Sequence, residues 1–236
     1  SLYLTHLSKN SKVSTLRRRL VSISMVHKLK GHYLDTKHPI IVENLMGIRR
    51  VKGSIQKGKK PILINHLKLI INVINDKKIE EIKKLRDKSI ILIGFGGGFR
   101  RTELISIDFE DLEFVPEGLK ITIKKSKTDQ FGEGMIKGLP YFINEKYCPV
   151  VNLKKWLEIS KIKSGPIFRR FSKGLSLTDK RLTDQSVVLL MKKYLNLAGI
   201  ENKNFAGHSL RSGFATVAAD SGADERSIME IGRAHV

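Results

Sequence analysis

Residues 119–127 change the hydrophobic period of the chain. Leu119, Ile121 and Ile123 alternate with Lys120, Thr122 and Lys124. A period of two sends the aliphatic side chains to one face of an extended segment and the polar ones to the other, as in a half-buried strand. Gly132 and Gly134 supply a turn, and residues 135–142 read as the returning partner. The other apolar segments follow a helical period. Val13, Leu16, Leu20, Ile23 and Val26 or His27 share one face of a helix over 14–30, with Ser14 as N-cap and Gly31 as stop. Further helices are predicted over 39–51, after Pro39, and over 63–74 and 80–95, the last strongly apolar at Ile90-Ile91-Leu92-Ile93. Others follow over 151–160, with Trp156 and Leu157 in the core, over 182–198, and over 209–220 and 224–230, broken at Gly222. The expected fold is mainly α with a small antiparallel β-sheet, an α+β chain.

Charge divides this chain unevenly. The 236 residues carry 44 Lys and Arg against 23 Asp and Glu, a net charge of +21, and 41% are apolar, enough for a core. The cationic excess points to a polyanionic partner, most simply nucleic acid. Residues 1–63 hold 14 of the cations and only 2 of the anions. The expected division is a helical domain over 1–53, a basic linker over 54–62 and a larger domain over 63–236. The linker, with Lys57, Lys59 and Lys60, is read as lying along a phosphate backbone. Arg17, Arg18 and Arg19 start the first helix and oppose its macrodipole; they are either an anion-binding group or a solvated charge cluster. Cys148, the single cysteine, excludes an internal disulfide and a Cys-rich zinc site, and it reads as a packing residue. The seven histidines show no metal-ligand spacing. No apolar run reaches membrane-spanning length and no signal peptide precedes the first helix, so a cytoplasmic location is expected, with no membrane partner. The chain opens on Ser1, which suggests an incomplete N-terminus.

Three remote stretches carry chemistry. Arg100 lies in Gly98-Phe99-Arg100-Arg101-Thr102-Glu103-Leu104, Lys127 ends the alternating run, and His208 and Arg211 lie in Gly207-His208-Ser209-Leu210-Arg211. Transfer of a phosphodiester requires neutralisation of two non-bridging oxygens, and guanidinium does this with a planar, permanent, bidentate charge. Two arginines from separate segments can clamp one phosphate. A lysine on a hairpin suits the general acid that protonates a leaving sugar oxygen. The three-residue spacing of His208 and Arg211 places both on one face of a helix start. A Gly94-x-Gly96 run faintly suggests a dinucleotide fingerprint, but Phe99 stands where that pattern needs glycine.

The set resembles the tyrosine recombinase (phage integrase) family. Residues 98–104, followed by Ile107, Phe109, Asp111 and Leu112, look like its first arginine box. Ser126-Lys127-Thr128-Asp129 looks like its hairpin lysine. Gly165-Pro166-Ile167-Phe168-Arg169 and Leu182-Thr183 resemble the segment before the second box, and residues 207–216 are the strongest stretch. Residues 14–26 resemble the core-binding helix. The resemblance implies a helical core-binding domain and a catalytic domain closed as a clamp around double-stranded DNA. A tyrosine would form a 3′-phosphotyrosine with no cofactor, neither metal nor ATP. Arg100 and Arg211 would hold the phosphate, Lys127 would protonate the leaving oxygen, and His208 would assist proton transfer. Four protomers would exchange strands between paired sites. None of Tyr3, Tyr33, Tyr141, Tyr147 and Tyr194 follows His208, so none fills the nucleophile's place. The terminal Ile231-Gly232-Arg233-Ala234-His235-Val236 reads as adapter-encoded sequence, or else as the end of a truncated product, and no strand cleavage is expected of the polypeptide as written. Two other readings remain open: a non-catalytic helix-turn-helix module over 209–230, and a type IB topoisomerase.

Overall fold

The computed structural model describes residues 2–53, 58–124 and 134–224. Two compact units divide the chain, residues 1–58 and 59–236. In the first, α1 (Leu2–Ser8), α2 (Val13–Leu29) and α3 (Pro39–Lys52) close over a small core of Leu4, Val13, Leu16 and Ile48. So few aliphatic side chains leave a thin margin, at roughly 1.5–3 kcal/mol for each one buried. Polar ties add to it. The Lys52 ammonium at the end of α3 donates to the carbonyls of Ser8, Lys9 and Ser11, and the Asn44 amide donates to Thr5. Pro39 starts α3 where its missing N–H costs nothing, and His38 Nδ1 accepts the Ile40 N–H at 3.3 Å.

Two expectations for α2 need correction. The helix starts at Val13, with Lys12 in the cap position and no side-chain cap, so Ser14 lies inside the first turn. Arg17, Arg18 and Arg19 therefore sit beyond that turn, where the macrodipole has largely faded. The apolar stripe is buried at Val13, Leu16 and Leu20, whereas Val26 and His27 are exposed. The small core reaches only the first turns of α2.

The second unit is built around α5 (Glu81–Gly96). Ten of its residues are buried, including the whole Ile90–Ile93 run, and a run that is apolar on every face must be surrounded. The elements packed on it are α4 (Ile64–Asp76), α7 (Pro149–Ser160), α8 (Asp184–Leu197) and α9 (Ser209–Asp220), with the short α6 (Arg101–Ser106) at its C-terminal end. Gly94 permits a close approach. A Cβ there would lie 3.0 Å from Leu104 of α6 and 3.3 Å from Leu210 of α9. A missing methyl group thus lets the elements that carry the two arginines close on the same turn of α5.

A three-stranded antiparallel sheet, β1 (Leu112–Val115), β2 (Gly118–Ile123) and β3 (Met135–Pro140), follows in chain order. Leu119, Ile121 and Ile123 are buried, as their alternation predicts, and Lys137 stands opposite Ile121. A second antiparallel pair, β4 (Arg169–Phe171) and β5 (Leu177–Arg181), is polar enough that its sequence shows no alternation. The 107–109 and 165–167 segments bond as an antiparallel clasp, Phe109 N–H to Gly165 O at 2.8 Å and Ile167 N–H to Ile107 O at 3.2 Å. Trp156 and Leu157 are core residues, and the Trp156 indole donates to Ile167 O at 2.9 Å. Cys148 is fully buried. Residues 59–62, expected in a linker, belong to the larger unit. Ile62 is fully buried there, and its N–H donates to Ser209 O at 2.8 Å. The helix expected over 224–230 lies outside the described residues except for Asp224.

Candidate functional site

The site begins where α5 ends. Gly97 caps the helix and Gly98 takes a φ of +55°, a left-handed conformation that an L side chain would strain. The turn brings Arg100 to the start of α6 and leaves the Gly97 and Gly98 carbonyls, at the negative end of the α5 dipole, facing cations. Arg211 of α9 donates Nη1–H to Gly98 O at 2.7 Å. Lys137 of β3 donates to Gly97 O at 2.8 Å and reaches Gly98 O at 3.4 Å. Its ammonium also lies 4.6 Å from the centre of the Phe99 ring. Elements separated by more than a hundred residues thus meet at one turn.

Glu103 fixes the third cation. Its Oε2 accepts the Arg100 backbone N–H at 2.9 Å and its Oε1 accepts Nη1–H of the same residue at 2.8 Å. The carboxylate is buried, and burial alone would push its pKa up. The hydrogen bonds from Arg100 and the charges of Lys137 and Arg100 outweigh burial and hold the carboxyl below its ordinary value. Arg211 is pushed down first by burial and then by Arg100, while Glu103 opposes the shift. Lys137 is lowered to about 8, chiefly by burial; Glu103 counters, and Arg211 and Arg100 add to the fall. Among the described residues, Arg100, Arg211 and Lys137 gather around Glu103 at this turn. Both guanidinium residues are only partly buried.

The neighbouring Arg101 diverges from this group. It pairs with Asp184 at 3.5 Å and lies against Gly207, where a Cβ would approach its Nε within 2.2 Å. Gly207 thereby lets the segment before α9 settle on Arg101. His208 occupies the cap position of α9 and is exposed, whereas Arg211, one turn later, points in to Gly98. Lys127 and Lys57 lie outside the described residues.

A match to the model of the phage integrase family spans residues 65–235. The chain belongs to the phage integrase family. Its curated relatives include an integrase/recombinase xerD homolog of Selenomonas ruminantium, 42% identical over 230 residues, or 96% of this chain and 67% of the relative. Tyrosine recombinase XerC of Syntrophus aciditrophicus is 26% identical, over 91% of this chain and 67% of that protein. Against XerD of Corynebacterium glutamicum the match spans about half of the relative's length, 51%. Among solved structures, lambda integrase bound to DNA superposes with a TM-score of 0.61 at 14% identity, over 97% of this chain and 72% of the other. XerH bound to its difH substrate gives 0.57 at 19%, over 96% and 65%. At such identities the likeness is one of fold, here a mostly helical one with small antiparallel sheets.

In this integrase-family chain the structure gathers Arg100 and Arg211, sets His208 at the head of the same helix as Arg211, and adds two residues that sequence reasoning missed. Glu103 stands within the first arginine box, and its i, i+3 spacing from Arg100 was the available signal. Lys137 shares a strand face with Met135 and Leu139, so a lysine in an inward register was the signal there. The residues proposed for DNA lie on both units. Arg17, Arg18 and Arg19 are exposed, and Arg17 joins Lys9, Lys12, Arg49 and Lys52 around a concave face of the first unit. Lys59 donates to Lys203 O at 2.6 Å, and the Lys60 backbone N–H donates to Asn204 O at 2.7 Å. No helix among the described residues is long and apolar enough to cross a membrane.

Proposed function

We propose that this chain serves site-specific DNA recombination by strand breakage and rejoining through a 3′-phosphotyrosine. The observation that carries the reading is the convergence of Arg100 and Arg211 on the Gly97–Gly98 turn, with Glu103 holding one and Gly98 O the other. Fixed charge aimed at the non-bridging oxygens stabilises the pentacoordinate state, and loss of one such donor costs on the order of 3 kcal/mol. In this reading Arg100 and Arg211 grip the scissile phosphate. Lys127, in the connection between β2 and β3, protonates the leaving 5′-oxygen, and His208 assists proton transfer. Residues 1–53 act as the core-binding domain and the larger unit as the catalytic domain, with the linker shortened to 54–58 because 59–62 pack on the larger unit. Arg17, Arg18, Arg19, Lys57, Lys59 and Lys60 contact the backbone of double-stranded DNA. A homotetramer on paired sites is supported by the fold it shares with lambda integrase, solved as a tetramer on a Holliday junction.

The tyrosines of the second unit are committed elsewhere. Tyr194 is fully buried and donates its hydroxyl to Asp87 at 2.7 Å, Tyr147 donates to Asn72, and Tyr141 accepts from Lys154. Cleavage is tested on the chain extended at its C-terminus by a segment that supplies a tyrosine. A nicked suicide duplex should trap a covalent protein–DNA adduct on a denaturing gel. Arg100→Ala should abolish the adduct and leave most of the DNA binding. A helix-turn-helix module would give no adduct at all. It also fits poorly with α9, whose Arg211 turns inward and whose Gly213 lies against the Ile62 backbone.

A further inference from the structure

Lys137 is the deepest cation of the site. It is 8% exposed, on a strand whose neighbouring positions, Ile136 and Gly138, face solvent. A buried ammonium is costly unless its protons are all used. Here they meet the carbonyls of Gly97 and Gly98 and the face of Phe99. Among the described residues, the charged groups around it are Arg100 and Glu103 from the α6 side and Arg211 from α9. Two consequences follow from this placement. The ammonium shares Gly98 O with the Arg211 guanidinium, so it fixes the orientation of the carbonyl that aims that arginine. It also ties β3, the return strand of the hairpin, to the turn that leads into Arg100.

We propose that Lys137 is a positioning residue of the phosphate pocket, locking the Gly97–Gly98 turn so that Arg211 and Arg100 are held for one oxyanion while supplying positive charge at the same turn. The proposal rests on the reading of the two arginines as a phosphate clamp. With a pKa near 8, the ammonium is charged at neutral pH and loses its charge in mildly alkaline solution. Deprotonation removes one donor and one charge, so anion affinity should fall as pH rises, whereas the guanidiniums stay charged.

The test uses the full chain and sulfate as the probe, because its charge is constant over the range. Binding is followed by the arginine Nε–H resonances, assigned with Arg100→Ala and Arg211→Ala. The unsubstituted chain should bind sulfate at both arginines at about pH 7 and lose about tenfold in affinity by about pH 9.5. Lys137→Met should bind about tenfold more weakly at neutral pH, with a flat pH profile. Lys137→Arg, permanently charged, should recover part of the neutral-pH affinity and also give a flat profile. It keeps the test decisive if the methionine variant does not fold. An unaltered affinity and pH profile in Lys137→Met, or the original alkaline fall in Lys137→Arg, overturns the role of Lys137 while leaving the arginine clamp standing. No perturbation of either arginine by sulfate in the unsubstituted chain overturns the clamp itself, and the proposal with it.

Discussion

Glu103 shows how much one side chain does at the smallest scale. It is the carboxylate that meets the cations of the α5–α6 turn among the described residues, and it ties the Arg100 backbone and guanidinium together. Glu103→Gln keeps the shape and removes the charge. It should lower stability by roughly 1–3 kcal/mol, read by chemical denaturation, and weaken phosphate binding through a less constrained Arg100. The pH dependence has a definite sign. The folded-state pKa lies below the ordinary 4.5, so the contribution of Glu103 is complete above that value and is lost as pH falls through the lower folded one. Denaturation midpoints of the parent should therefore fall more steeply than those of Glu103→Gln below about pH 4.5. Arg100→Ala and Lys137→Met belong to this scale too, and the adduct and sulfate measurements read them separately.

At the scale of the element, α9 is placed by an absence. A Cβ on Gly213 would lie 1.9 Å from Ile62 O, and the Ile62 N–H is already bonded to Ser209 O. That backbone is pinned and cannot yield, so Gly213→Ala must push α9 away from the 60–62 segment. The expected cost is about 2–4 kcal/mol in thermal or chemical denaturation. The displacement also withdraws Arg211 from Gly98, so phosphate affinity should drop even at temperatures where the variant is fully folded. The helix-spanning runs and the alternation of β2 were legible because periodicity reports which face meets the core. The helices α1 and α6 and the β4–β5 pair were not read. They are short or polar, and tertiary bonds such as Arg181 to Ile105 O, rather than a pattern of their own, hold them in place.

For the molecule as a whole, the decisive quantity is charge. Exposed Arg17, Arg18 and Arg19 carry no core contact, so replacing all three with alanine should leave the thermal unfolding of the chain nearly unchanged. Duplex affinity, measured by fluorescence anisotropy over a salt series, should fall for every DNA sequence alike. The slope of log affinity against log salt should shrink by up to about 2.7 if each arginine neutralises one phosphate. An unchanged slope would mark these arginines as a solvated cluster.

The sequence by itself determined the family, the mainly helical class and the phase of the central hairpin strand, because each is written in local spacing or in a contiguous motif. Only the tertiary structure decided that Lys137 meets Arg211 at the Gly98 carbonyl, that Glu103 holds Arg100, and that Ile62 packs on α9 rather than runs free. Those facts depend on which carbonyls a turn leaves unpaired and how closely two backbones approach. Such distances are set by the joint packing of segments far apart in the chain, and no single segment encodes them.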